Sequence, residues 1–93
     1  MNNSDALRCA SIYNQYEIVK YLVESGIDIH ADNEIALRRA IELGNLNIVK
    51  YLVENGGDIH VKNNYALFSA IKNGHTHVEN YIKYCDIWNK KNI

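Results

Sequence analysis

The chain has 93 residues, of which 47% are hydrophobic and 23% are charged. This composition is typical of a folded globular domain and argues against disorder, so we expect a single domain over residues 1–93. Lys and Arg total 10 and Asp and Glu total 11, which gives a formal net charge of -1. The chain therefore lacks the basic surplus with which nucleic-acid binders neutralise phosphates, and we expect no nucleic-acid partner.

The first residues show no basic segment followed by an apolar run, so the sequence predicts no secretory signal. The longest apolar segments are interrupted by Lys20, Lys50 and Lys83, and none approaches the ~20 apolar residues that span a bilayer. We therefore expect no membrane partner. The thiols of Cys9 and Cys85 are predicted to be free and buried or partly buried. Free thiols without an export signal favour an intracellular, cytoplasmic setting.

The chain repeats itself every 30 residues, in segments at about 3–32, 33–62 and 63–92. The first two segments share 16 of 30 positions. Residues 18–24 read Ile-Val-Lys-Tyr-Leu-Val-Glu, and residues 48–54 repeat that run without change. The third segment follows the pattern as far as Tyr81 and then diverges. Such a period predicts a stack of similar structural units.

Each segment predicts two short helices and an extended arm. In the second segment, the first helix covers residues 36–43 and ends at Gly44, a residue that tolerates the left-handed conformation of a helix C-terminus. The second helix covers about 47–55, and the polar–apolar alternation at 58–62 predicts an extended arm or hairpin. Helices of two to three turns are unstable alone, so each must bury its apolar stripe against neighbouring units. The stripe of the first helix consists of Ala36, Leu37, Ala40 and Ile41.

These motifs resemble the ankyrin repeat. The family's first motif is T-P-L-H-x-A, and residues 35–40 read Ile-Ala-Leu-Arg-Arg-Ala, which shares the Leu and the final Ala. The second motif, G-H-x-x-V-V-x-x-L-L-x-x-G-A-D-V-N, is matched by Gly-Asn-Leu-Asn-Ile-Val-Lys-Tyr-Leu-Val-Glu-Asn-Gly-Gly-Asp-Ile-His at 44–60. The resemblance covers residues 3 to about 84. It implies an all-α solenoid of three helix-turn-helix repeats with short or reduced β-hairpin arms.

The chain departs from the family pattern in two ways. Its period is 30 residues, against the usual ~33 of the family, and the missing residues fall where family members form the hairpin. It also contains no proline, so the usual Pro at the first helical position is absent. This short-hairpin variety, rich in Asn, Ile and Tyr, looks like the ankyrin arrays of very large DNA viruses. That likeness would place the protein in the cytoplasm of a host cell.

No residue pattern in the chain predicts catalysis or a cofactor. His30 and His60 occupy equivalent arm positions, about 8–10 Å apart if adjacent repeats stack as packed helices do. Zinc needs three or four ligands around one ion, so two histidines at that distance make a poor site. His75 and His77 are two residues apart and do not share a helix face. We find no nucleophile–base pair and no Gly-rich phosphate loop, and we expect no enzyme, cofactor or metal site.

The resemblance implies that the partner is another protein, bound on a concave face of inner helices and arm tips. Two groups of residues take these places. Before the inter-helix turns lie Ile12, Tyr13, Glu42, Leu43, Lys72 and Asn73. At the arm tips lie His30, Asp32, Glu34, Ile35, His60, Lys62, Asn64 and Tyr65.

A small basic cluster on the first helices consists of Arg8, Arg38 and Arg39. One interpretation is that these charges are solvated or paired with Glu34 and Glu42. The other is that they contact an acidic partner, and for this reason Arg39 belongs to the candidate binding residues.

The two ends of the array differ in polarity. The last repeat is predicted to be an atypical C-terminal cap, because a terminal repeat must present a polar outer face; its polar residues are Glu79, Asn80 and Lys83. Trp88 is expected to fold back over the core. The first repeat has no such cap, since it carries Ile12, Tyr13 and Tyr16. It is partly exposed, or pairs with another copy, or follows upstream repeats of a longer natural protein.

Two hypotheses of function follow. In the first, the chain is an adaptor or scaffold that binds a cellular or host protein through the concave face. In the second, it is a structural or self-associating fragment of a longer array, whose first repeat stacks on another copy. A chain that stays monomeric at tens of micromolar would count against the second.

Overall fold

The fold is known from a computed structural model that describes the backbone of residues 3–59 and 61–91 and the side chains of residues 5–59 and 65–85. These backbone ranges contain six helices and no strand. The helices are α1 (Asn3–Ile12), α2 (Tyr16–Glu24), α3 (Ala31–Leu43), α4 (Leu46–Glu54), α5 (Val61–Lys72) and α6 (Thr76–Lys91). The predicted all-α fold class is confirmed. Within the described ranges, no helix is long and apolar enough to cross a membrane.

The helices form three pairs that stack side by side in two layers. Helix α1 packs against α3 and α3 against α5, whereas α2 packs against α4 and α4 against α6. We term α1, α3 and α5 the first-helix layer and α2, α4 and α6 the second-helix layer. The stripe predicted from the sequence lies between the pairs: Ala36, Leu37, Ala40 and Ile41 are all buried. The core therefore runs along the stack and does not sit inside any single pair.

The turn within each pair is the same structure three times. Gly44 and Gly74 have φ angles of 75° and 74°, and Asn14 has a φ of 56°. These left-handed residues end the first helix as the sequence predicts, because Gly and Asn adopt this conformation most readily. The next backbone N–H then donates back into the helix that has just ended, at 2.9 Å in all three pairs. The first helix of each pair therefore ends in the same turn conformation.

The extended arm predicted at residues 58–62 is wrong in part, because α5 already begins at Val61. The equivalent connection after α2 is a compact turn. The carboxylate of Asp28 accepts a hydrogen bond from the backbone N–H of His30 at 2.9 Å. Asp side chains favour such local turns over strand pairing. The alternation predicts burial correctly nevertheless, since Ile29 and Ile59 both point into the core.

A run of left-handed residues at the start of α3 is not foreseen by the sequence. Asp32, Asn33 and Glu34 have φ angles of 54°, 57° and 65°, so the right-handed part of α3 begins after them. Each such residue costs about 1–2 kcal/mol unless its surroundings compensate. Arg38 holds the segment in place: its Nε donates to the Asn33 carbonyl at 2.8 Å, and its Nη2 donates to the Asp32 carbonyl at 3.1 Å. The arm tip at residues 32–34 is therefore a turn whose conformation is fixed by the hydrogen bonds from Arg38.

Candidate functional site

The ends of the first helices form one row on the molecule. The side-chain amide of Asn45 donates to the Ser11 carbonyl at 2.7 Å, which ties the end of α3 to the end of α1. In the same way, Nε2 of His75 lies 2.9 Å from the Glu42 carbonyl and donates to it, which ties the end of α5 to the end of α3. The residues predicted before the turns are thus neighbours across the stack.

The residues of this row differ in exposure. Tyr13 and Leu43 are exposed although both are large and apolar. Lys72 and Asn73 are also exposed, whereas Ile12 is half-buried. The row therefore exposes apolar side chains at the ends of α1 and α3 and polar side chains at the end of α5.

Glu42 joins the second and third helix pairs. Its Oε1 accepts a hydrogen bond from the Tyr65 hydroxyl at 3.0 Å, and its Oε2 accepts one from Nη1 of Arg39 at 2.8 Å. The hydrogen bond to this carboxylate raises the pKa of the Tyr65 phenol above its usual value. Arg39 therefore pairs with Glu42, as one of the two interpretations of the basic cluster expects. Tyr65 is half-buried and lies beside the row.

The other two arginines of the basic cluster are also engaged within the chain. Nη2 of Arg8 lies 3.6 Å from the carboxylate of Asp5, and the guanidinium of Arg38 binds backbone carbonyls of the arm tip. The predicted pairing of the cluster with Glu34 is wrong, because Glu34 contacts His30 instead. All three arginines of the cluster therefore have acceptors within the chain.

At the arm tip, the structure corrects the placement of Glu34. The sequence predicts an exposed binding residue, but Glu34 is buried, since the left-handed backbone turns its side chain towards the protein. One carboxylate oxygen contacts Nδ1 of His30, and the other has no hydrogen-bond partner among the described residues. His30 and Asp32 are exposed as predicted, and Ile35 is half-buried. A partner can reach the first two of these but not Glu34.

The pair of His30 and Glu34 makes stability depend on pH. The hydrogen bond to Glu34, and then the attraction of the same carboxylate, raise the pKa of His30 above its usual value of 6.5. A raised folded-state pKa means that the stabilising contribution is complete below pH 6.5 and is lost as the pH rises through the folded-state pKa. Urea unfolding of the wild type and of His30→Gln should therefore differ most at acidic pH. A difference in unfolding free energy that stays constant with pH would contradict this.

Three of the predicted binding residues lie outside the described side chains, namely His60, Lys62 and Asn64. The side chain of Trp88 lies outside them too. Cys85 is partly buried as predicted, but Cys9 is exposed, so the prediction for that thiol is wrong. Among the described side chains, no group of three His, Cys, Asp or Glu residues is placed to hold a metal ion.

Sequence reasoning missed Phe68, which is 63% exposed on α5. It stands at the position that Arg8 and Arg38 occupy in the first two repeats. An aromatic residue in place of a repeated arginine is the signal that could have identified it. Phe68 also lines a shallow depression of about 260 Å³ between α3 and α5, together with Glu42, Tyr65, Ser69, Lys72 and Asn73.

The family model for ankyrin repeats in three copies matches residues 7–91 of the chain. No curated protein matches the chain.

Proposed function

The chain belongs to the ankyrin-repeat family, and on that premise we propose that it is an adaptor or scaffold that binds another protein through its first-helix layer. Ankyrin repeats are generally protein–protein interaction modules, and proteins built from them are typically non-enzymatic. The observation that carries the proposal is the exposure of Tyr13, Leu43 and Phe68, one on each of the three repeats, all at or near the first-helix layer. Large exposed apolar side chains grouped on one face are typical of a protein-binding surface.

The chemistry of this face favours an apolar anchor on the partner over an acidic one. Arg8, Arg38 and Arg39 already bind acceptors within the chain, so an acidic partner would have to displace those contacts. The exposed side chains of Tyr13, Leu43 and Phe68 instead offer apolar contacts, beside a depression that is lined mainly by polar side chains. Glu42 and Tyr65 border it with polar groups that could orient the incoming segment. Exposed His30 and Asp32 at the arm tip extend the face.

Packing, charge and composition of the chain bear on its domain organisation, its partner and its cellular setting. The continuous series of packed helix pairs supports one domain over residues 1–93. The formal net charge of -1 supports a protein partner and not a nucleic acid. The 30-residue period and the composition rich in Asn, Ile and Tyr support a place among arrays of very large DNA viruses. The partner would then be a protein of the host cytoplasm.

The proposal predicts where a photo-crosslinker captures a partner. We expect p-benzoylphenylalanine in place of Leu43 to capture one cellular protein, because Leu43 lies in the exposed row. The same amino acid in place of Asn47, exposed at the start of α4, is the matched control and should capture none. Mass spectrometry of the cross-linked band identifies the protein.

The identified protein is then titrated against purified variants by calorimetry. Tyr13→Ala and Phe68→Ala should each weaken its binding about 10-fold, the loss typical of removing an aromatic anchor. Equal capture from positions 43 and 47, or unchanged affinity of both alanine variants, would refute the first-helix layer as the binding face.

A second candidate role is self-association. It is favoured by the exposure of Ile18 and Tyr21 on the first repeat and of Ile71 on the third.

A further inference from the structure

The two interfaces between helix pairs use the same positions of the repeat. Ile48 of α4 is 0% exposed and Val78 of α6 is 1% exposed, and these residues occupy equivalent places. The residue after each left-handed turn also recurs: Asn45 and His75 both donate to carbonyls at the end of the preceding first helix. Each pair therefore docks on the previous one with one apolar side chain and one hydrogen-bond donor.

A tyrosine at a third position completes the docking. The rings of Tyr51 and Tyr16 meet edge to face, with centroids 5.8 Å apart. In the next interface, Nζ of Lys50 lies 5.8 Å from the centroid of the Tyr81 ring. In both cases the tyrosine packs on the second helix of the preceding pair.

The first helix pair carries the same three groups, and no other described helix pair packs on them. Gln15, Ile18 and Tyr21 stand at these positions, and we term them the leading face. Ile18 is 50% exposed and Tyr21 is exposed as well. The side-chain amide of Gln15 donates to the Tyr13 carbonyl of its own turn, at 3.1 Å. The leading face thus presents a docking set that is buried or half-buried in the other two pairs.

The third helix pair carries the complementary surface. Ile71 is 52% exposed, whereas Ser11 and Ile41 at equivalent positions are buried at 0% and 1%. Leu67 is only half-buried on the same side. Lys72 is the equivalent of Glu42, whose carbonyl accepts the hydrogen bond from His75. The Lys72 carbonyl therefore stands where an acceptor is needed. We term Leu67, Ile71 and Lys72 the trailing face.

We propose that a second copy of the chain docks its leading face on this trailing face, head to tail, and so repeats the contact that already joins the pairs within one molecule. The proposal rests on self-association, the second candidate role, and does not depend on partner binding by the first-helix layer. The main-chain acceptor, the buried apolar side chain and the side-chain donor each recur at both interfaces within the chain. Contacts of this kind are heterologous, so two docked copies together keep one free leading face and one free trailing face.

A polar pair on the third repeat limits the strength of this contact. Glu79 and Lys83 stand where α4 has Val49 and Val53, and they form an ion pair at 2.7 Å. Covering this pair removes water from two charges, which opposes association. The self-association should therefore be weak and reversible.

Sedimentation of the full chain with two lysine variants tests the geometry. We expect the wild type to associate reversibly at about 10–100 µM, a range of weak affinity. Ile18→Lys and Ile71→Lys should each be monomeric, because each destroys one face. Their equimolar mixture should form a one-to-one dimer, since an intact trailing face then meets an intact leading face. Asn47→Lys, an exposed substitution on α4, is the control and should associate like the wild type.

Circular dichroism is the control for folding, and we expect both lysine variants to fold because Ile18 and Ile71 are already half exposed. Replacing the polar pair with the valines of the second repeat, Glu79→Val with Lys83→Val, should strengthen association at least about 10-fold. The proposal is overturned if the wild type is monomeric up to about 100 µM, or if the equimolar mixture stays monomeric. It is equally overturned if Ile71→Lys alone dimerises like the wild type, which would indicate pairing of two leading faces. Tyr13, Leu43 and Phe68 are intact in every variant, so stacking and partner binding can fail separately.

Discussion

Replacing Leu52 with alanine should lower the free energy of unfolding by about 2–5 kcal/mol. Leu52 is 1% exposed and belongs to α4 of the middle helix pair. Neighbouring pairs pack on both sides of this pair, so the surroundings cannot collapse into the space that the side chain leaves. Because each pair is stable only through its neighbours, a defect in the middle pair weakens both interfaces of the stack.

Urea unfolding followed by circular dichroism measures this loss. Leu43→Ala is the matched control, because it removes the same atoms from an exposed leucine in the same repeat. Surface substitutions usually change stability by less than about 0.5 kcal/mol, so the control should unfold almost like the wild type. A loss below about 1 kcal/mol for Leu52→Ala would show that Leu52 is not buried between the helix pairs.

Gly44→Ala should be the most damaging of the glycine substitutions in the inter-helix turns, at a cost of about 2–3 kcal/mol. Gly44 has a φ of +75°, which an alanine adopts only with strain, and an added Cβ would lie 2.5 Å from Nδ1 of His75. The His75 ring would have to move, and its hydrogen bond to the Glu42 carbonyl would be lost. The second and third helix pairs are joined at this point.

Gly74→Ala is the matched control for this prediction. Gly74 has a φ of +74°, and an added Cβ would meet no atom within 4 Å. It should cost only the strain of the left-handed backbone, about 1 kcal/mol. In a His75→Ala background, the excess cost of Gly44→Ala over Gly74→Ala should disappear, which a double-mutant cycle in urea measures. Equal costs for the two glycines in the wild-type background would show that His75 does not restrict the turn.

Much of the fold follows from local features of the sequence. The 30-residue period and the helical spacing of Ala36, Leu37, Ala40 and Ile41 predict paired helices, and the structure contains them. Gly44 and Gly74 mark helix ends because a left-handed residue is a property of one position, independent of distant contacts. The pairing of Arg39 with Glu42 is also local, since residues three apart on a helix are neighbours.

The candidate site depends more strongly on contacts between distant residues. The bond from Tyr65 to Glu42 joins side chains that are 23 residues apart, and no local pattern announces it. Glu34 is polar and lies in a connecting segment, which predicts exposure, but the left-handed turn held by Arg38 buries it. Val61 reads as part of an alternating arm, and yet the short connection between repeats leaves it inside α5.

The run of seven residues that is identical at 18–24 and 48–54 shows most clearly what local sequence determines and what tertiary packing determines. The two runs lie in helices α2 and α4, which both have nine residues and begin and end at the same positions of the repeat. Nevertheless Ile18 is 50% exposed and Ile48 is 0% exposed. Helix formation depends on residues within a few positions along the chain, and the sequence encodes it directly. Burial in a stacked array depends on whether another helix pair lies against that face, so it emerges only when the pairs are assembled.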